Sequence, residues 1–204
     1  MIHEQDRMSA MMGEILGDRL VKLTVVAYDA HEDFSREETR LSCRVKDKTS
    51  GEEFAIEGKG VGLIDAFFHG VLARMSQEYP SLQTIAIDKF MVTGKIGGGR
   101  AQNRTDAPAE VVLGIRNSQG SHFEFTAESR SVTRSGLEAT LRACEYFVNS
   151  ERAFIEVYRA LKASREQNRQ DLVSRYTSLM AQLVKNTSYS ETIEQIRADL
   201  DRSH

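Results

Sequence analysis

The fold is decided by one short stretch, Gly58-Lys59-Gly60-Val61-Gly62-Leu63-Ile64-Asp65-Ala66. It places three glycines at alternate positions between a strand pattern and a helix pattern, with a carboxylate in the first turn of the helix. Glycine lets another group approach the backbone closely, and the first turn of a helix presents unpaired N–H groups at a positive dipole end. The stretch therefore predicts one of two features: a seat for a small carboxylate ligand, or a tight strand-to-helix turn without a ligand.

The residues around this stretch alternate or repeat in ways that predict three strands followed by a helix. Apolar side chains alternate over residues 23–27, 41–45 and 54–56, which is typical of half-buried strands. A helical stripe then runs over residues 62–79, and Pro80 is expected to stop it.

The second half of the chain repeats this order at an offset of 69 to 70 residues, which predicts an internal duplication. At that offset the matches are Leu23 with Val92, Leu41 with Val111, Cys43 with Leu113, Val45 with Ile115, Gly51 with Gly120, Phe54 with Phe123, Ile56 with Phe125, Leu72 with Leu141 and Met75 with Cys144. The short turns between strands predict antiparallel sheets, and each sheet needs a helix to cover its apolar face.

The sequence thus predicts an α+β fold of duplicated βββα units with antiparallel sheets covered by helices, plus a C-terminal helical extension. The expected divisions are an N-terminal helical segment at 1–20, a duplicated domain at 21–150 and a helical extension at 151–204. Within the duplicated domain, the two repeats are expected at about 21–80 and 81–150.

Composition narrows the class of protein. The chain has 204 residues, of which 40% are hydrophobic and 28% charged, and its net charge of −3 argues against nucleic-acid binding by bulk charge. No run approaches the roughly 18 apolar residues that cross a bilayer, and the first residues do not form a signal peptide. Two cysteines cannot form a zinc site by themselves. A cytoplasmic protein without membrane, metal or cofactor is expected.

The two strand-to-helix junctions differ. The second, residues 127–134, has no glycine at the matching positions, which favours a special role for the first. Between the halves, residues 97–104 contain three glycines and two arginines but no Walker pattern, so a hairpin tip is predicted there rather than a phosphate site.

Several motifs resemble one family, the C-terminal regulatory domain of alpha-isopropylmalate and citramalate synthases. Residues 58–66 resemble its Gly-x-Gly-x-Gly-Pro-Val-Asp-Ala signature, and residues 87–92 its Leu-x-Asp-Tyr-x-Val strand. Residues 105–111 are similar to its Thr-Asp-Ala-x-Ala-x-Val segment, and residues 137–143 to its Ile-Glu-Ala-Ser-x-x-Ala helix. The resemblance covers roughly residues 20–150.

The resemblance implies a homodimer that binds a feedback amino acid, leucine or isoleucine, near the subunit interface. The effector-binding positions that it implies are Gly58, Gly60, Gly62, Leu63, Asp65, Ala66, Asp88, Phe90, Thr105, Asp106 and Ala107. Leu63 stands where the family has proline.

The family's enzymes also carry a catalytic (β/α)8 barrel of roughly 250 residues, for which this chain has no room. No catalytic residue is therefore expected, and the chain resembles a free-standing regulatory domain that acts on a separate synthase. The alternative is a structural or interaction dimer that has lost its ligand. A small enzyme using Asp65, His69 or Asp106 is a third hypothesis, although these residues have no recognisable nucleophile or metal partner.

Overall fold

The protein is a duplicated α+β fold, as the sequence predicts. The computed structural model describes residues 2–94 and 107–187 together with the single positions Glu194 and Ala198. The helices are α1 (Ile2–Leu16), α2 (Leu63–Met75), α3 (Val132–Glu166) and α4 (Gln170–Thr187), with short 3-10 helices at Gly17–Arg19 and Pro80–Thr84. The strands are β1 (Leu23–Asp33), β2 (Glu38–Asp47), β3 (Glu53–Gly60), β4 (Ile85–Gly94), β5 (Ala109–Asn117) and β6 (His122–Ser129). Two antiparallel sheets have the orders β1-β2-β3 and β4-β5-β6.

The turns between the second and third strands of the two sheets are built alike, which supports the duplication. Gly51 has φ 79° and Gly120 has φ 80°, a left-handed conformation that favours glycine. The side-chain oxygens of Asp47 and Asn117 accept from backbone N–H groups two residues further on, at 2.8 and 3.1 Å. The same turn chemistry therefore fixes the register of both hairpins.

The predicted match of Leu23 with Val92 is wrong. Leu23 pairs with Asp47, and the residue that occupies the same place in the second sheet is Ile85, which pairs with Asn117. Both first strands also carry a bulge at equivalent positions, Val26 and Asp88. The first strands are 62 residues apart whereas the second strands are 70 apart, because the segment between β4 and β5 is longer than its counterpart.

Helix bounds also differ from the predicted ones. Helix α2 ends at Met75, before Pro80, which begins a separate 3-10 turn. Helix α3 runs unbroken over 35 residues, so the chain does not change element at the expected division between 150 and 151. The apolar stripe continues across that point through Ala153, Phe154 and Val157, all of which are buried.

Helix α3 is the central element, since both sheet and helical parts pack on it. Its N-terminal half covers β5 and β6, and its C-terminal half carries α1 and α4. The largest aromatic cluster surrounds Phe147, which is fully buried and lies with its ring centroid 5.2 Å from Phe123 and 5.4 Å from Tyr146. One hydrophobic core therefore extends from the second sheet into the helical bundle.

Polar side chains of α3 hold the two linkers that lead into β1 and β4. Asn149 accepts from the Val21 N–H at 2.8 Å and donates to the Val21 carbonyl at 2.9 Å. Glu151 accepts from the Ser81 N–H at 2.9 Å, and its burial raises the pKa of its carboxyl group. These contacts satisfy backbone groups that burial would otherwise leave unpaired.

The buried carboxyl group of Glu145 is expected to make the stability of the fold depend on pH. Its carboxylate accepts from the Leu23 N–H at 2.5 Å, and burial raises its pKa from 4.5 to about 7 against the lowering effects of that hydrogen bond and of Lys48 and Arg142. Because the folded-state pKa is raised, the free energy of unfolding should fall as pH rises from about 4.5 to about 7, by at most about 3 kcal/mol. The Glu145→Gln variant should lack this fall, as measured by urea unfolding at pH 5 and pH 8. An equal fall in the free energy of unfolding between pH 5 and pH 8 in Glu145→Gln, wild type and the exposed control Glu52→Gln would contradict this role.

Candidate functional site

The junction between β3 and α2 is built on a very close approach of helix to strand. A Cβ added to Gly58 would overlap the carbonyl oxygen of Ala66, and one added to Gly60 would overlap Asp65 and the backbone of Ala66. On the helix side, a Cβ at Gly70 would lie 2.7 Å from Ile56. These glycines are needed for space and not for unusual backbone angles, since among the described glycines only those at 17, 51 and 120 have positive φ.

Asp65 is already engaged in this junction. Its Oδ2 accepts from the Val61 N–H at 2.9 Å and lies 3.6 Å from Nδ1 of His69. The imidazole in turn lies 3.4 Å from the Lys59 carbonyl. The carboxylate thus fixes the chain where it enters α2, and it also adds negative charge beside the helix N-terminus.

The N-terminus of α2 differs from that of α3 in its cap. At α3, the Ser131 hydroxyl accepts from the Arg134 N–H at 3.2 Å. At α2 the capping position is Gly62, which has no side chain to accept from the first-turn N–H groups. The first-turn N–H groups of α2 therefore keep more capacity to bind an anion than those of α3.

Residues from two of the sequence motifs, 58–66 and 87–92, lie close together near the first turn of α2. A Cβ at Gly136 in α3 would lie 2.5 Å from Cδ1 of Ile64 and 3.9 Å from Cε2 of Phe90. Ser135, next to Gly136, donates to the Ala109 carbonyl at 3.1 Å, so Ala107 lies two residues from the same contact. The structure thus brings Ile64 of the 58–66 stretch, Phe90 and the start of β5, two residues after Ala107, to one region between α2 and α3.

Asp88 lies apart from that region. Its Oδ2 is 2.8 Å from Nδ1 of His122, and its side chain is only 13% exposed. The neighbouring Lys89 pairs with Glu124 at 2.7 Å. Lys89 and Gly114 are paired on the face of the sheet away from the core, whereas Phe90 pairs with the buried Leu113. Asp88 therefore orders the outer face of the second sheet and does not point toward Phe90.

Two positions implied by the resemblance, Thr105 and Asp106, lie outside the described residues, as does the glycine-rich segment 97–104. Two residues that do shape the region, Ile64 and Gly136, were absent from the expected set. A glycine inside the pattern of a long helix is the sequence signal that could have pointed to the close contact at Gly136.

A comparison with protein-family models finds no match, and a comparison with curated proteins finds none either. Within the described residues, no group of three histidine, cysteine, aspartate or glutamate side chains could hold a metal ion. None of the described helices has the length and apolar character that crossing a bilayer requires.

Proposed function

We propose that this protein is a dimeric regulatory module, resembling the regulatory domain of alpha-isopropylmalate synthase, that binds a branched-chain amino acid or 2-oxo acid in the cytoplasm. The observation that carries the proposal is the N-terminus of α2, which has glycine at its capping position and lies in the same region as Ile64, Phe90 and the start of β5. This combination offers anion-binding amides next to apolar side chains, which is what a small apolar acid requires.

In the proposed mode of binding, the first-turn N–H groups of α2 hold the ligand carboxylate, which the positive end of the helix dipole also stabilises. The Asp65 carboxylate accepts a hydrogen bond from the ammonium group of an amino acid while still accepting from the Val61 N–H. The half-buried Leu63 and the exposed ring of Phe90 contact the ligand's side chain.

Dimer formation is supported by uncovered apolar surface on the first strand of each sheet. Tyr28 and Phe90 occupy equivalent positions, pair with the buried Cys43 and Leu113, and are nevertheless 41% and 46% exposed. Their neighbour Val92 is 43% exposed. These side chains share a face with core residues of each sheet and are nevertheless partly exposed, so a second copy of the chain is the proposed cover.

The regulated partner is proposed to be a separate synthase of leucine biosynthesis. Cytoplasmic location is consistent with the free thiols of Cys43 and Cys144, which are buried, with pKa values that burial raises to about 11 and about 12. Such thiols are compatible with a reducing compartment.

A second candidate function is a purely structural dimer. The observation that favours it is that Gly58 and Gly60 are explained by helix packing, and that Asp65 and Asp88 already have partners. The two candidates make the same prediction for mass in solution but differ in ligand binding, so calorimetric titration separates them.

The Asp65→Asn variant tests the site. Asparagine keeps an acceptor for the Val61 N–H but removes the charge that would hold an ammonium group. A charge-assisted hydrogen bond contributes roughly 1.5–3 kcal/mol, so affinity for leucine or isoleucine should fall at least about tenfold, whereas affinity for the 2-oxo acids should not fall. Titration calorimetry measures both.

Glu57→Gln is the matched control, because it removes the same charge from neighbouring β3, where Glu57 bonds Ser42 on the other face of the sheet. Equal affinities in wild type and Asp65→Asn would exclude Asp65 as the ammonium partner. No saturable heat with any of these acids, in a folded sample, would favour the structural dimer.

A further inference from the structure

A pit of about 270 Å3 opens between α1, α3 and α4, far from the region at α2. It exists because α1 and α4 both pack on α3 but contact one another little. Its floor and walls carry apolar side chains from all three helices. These are Met11, Ile15, Val157, Ala160 and Leu179.

The pit is one helical turn long. Its lining covers Met11 to Ile15 in α1, Glu156 to Ala160 in α3 and Arg175 to Leu179 in α4, and a step of four residues along a helix rises about 6 Å. That length suits a single side chain or a small molecule and is too short for a partner helix of several turns. Drug-sized ligands occupy pockets of roughly 300–1,000 Å3, so this pit fits a smaller metabolite.

The rim carries two opposite charges that have no ion-pair partner in the described part of the chain. Glu156 is neutralised by Arg19 at 2.7 Å and by Arg159 at 3.9 Å. By contrast, Glu14 on α1 and Arg175 on α4 are exposed, and neither forms an ion pair within residues 2–94 and 107–187. One wall therefore offers a carboxylate and the other a guanidinium, above an apolar floor.

We propose that the α1–α3–α4 pit is a second binding site, which takes an apolar α-amino acid as its zwitterion. Arg175 binds the carboxylate, Glu14 binds the ammonium group, and the ligand's side chain enters the pit between Val157, Ala160 and Leu179. Val157 lies 21 residues along α3 from Gly136, which is about 30 Å. The pit is thus separate from the region at α2 and does not depend on the function proposed for it.

Methyl NMR of the full chain labelled with 13C at its methionine methyl groups tests the proposal. Met11 lines the pit, whereas Met91 lies in β4, outside the pit, and serves as an internal reference signal. L-Leucine and L-phenylalanine should shift the Met11 signal saturably. 4-Methylpentanoate lacks the ammonium group and 3-methylbutylamine lacks the carboxylate, so each should bind at least tenfold more weakly than leucine.

Two variants show whether the pit is responsible. Ala160→Leu fills it and should abolish the Met11 response, and Arg175→Gln should weaken binding at least tenfold. Arg165→Gln removes the same charge from an exposed position outside the pit and should leave binding unchanged. The Met11 response should also persist in Asp65→Asn. The proposal is overturned if Met11 does not respond to either amino acid, or if its response survives both Ala160→Leu and Arg175→Gln. A response of Met91 without one of Met11 would place binding outside the pit and also overturn the proposal.

Discussion

Replacing Gly58 with alanine is expected to lower the free energy of unfolding by about 3 kcal/mol, the upper end of the usual cost of overpacking. The added Cβ would overlap the carbonyl oxygen of Ala66, which belongs to the backbone of α2 and cannot rotate away. The helix must therefore move off β3, and the contact of Gly70 with Ile56 is lost with it. Urea unfolding followed by circular dichroism measures the effect.

The matched control is Gly13→Ala in α1. Nothing lies within 4 Å of a Cβ added there, and Gly13 is not among the glycines with positive φ. Alanine should stabilise this helix by about 0.5–1 kcal/mol. If Gly58→Ala unfolds at the same urea concentration as wild type, the claim that Gly58 is needed for the close approach of α2 to β3 is contradicted.

Replacing Phe147 with alanine should cost about 3–5 kcal/mol, as for other large aromatic side chains in cores. The ring is fully buried and contacts Phe123 and Tyr146, so its removal leaves a cavity where α3 meets the second sheet. Since domains of this kind are stable by only about 5–15 kcal/mol, Phe147→Ala should be close to unfolded in modest urea.

Phe34→Ala is the control, because that ring is 83% exposed and its removal should change stability by less than about 0.5 kcal/mol. Phe147→Leu, which leaves a smaller cavity, should lie between the two and provides a measurable value if Phe147→Ala does not fold. Equal stabilities for Phe147→Leu and Phe34→Ala would contradict the placement of this cluster at the centre of the core.

Alternation and the repeat offset were sufficient to predict the six strands, the antiparallel sheets and the duplication. The offset gave the wrong partner for the first strand, because the segment between β4 and β5 is longer than the one between β1 and β2 and a fixed offset does not allow for that difference. The alternation of apolar residues did not reveal the error, since Leu23 matches Val92 as well as it matches Ile85. The expected division at 150 does not coincide with the end of an element, for a different reason. It was placed where strands cease, but α3 spans that point because both of its halves bury apolar residues, first on a sheet and then in a bundle.

The candidate site was predictable only in part. The glycine stretch was correctly expected at a strand-to-helix junction, and the uncapped Gly62 is visible in the sequence. Asp88 could not be placed, because its partner His122 is distant in sequence and is brought near by sheet register alone. Nor does any local pattern indicate that Ile64 and Gly136 meet, since that contact depends on how α2 and α3 pack.

A crystal structure of the full chain with saturating leucine tests the central claim most directly. We expect ligand density at the N-terminus of α2, with the carboxylate on the first-turn N–H groups, the ammonium group on Asp65 and the side chain against Phe90. The absence of ligand density between α2 and α3 would contradict the proposed function, whether or not the α1–α3–α4 pit holds leucine.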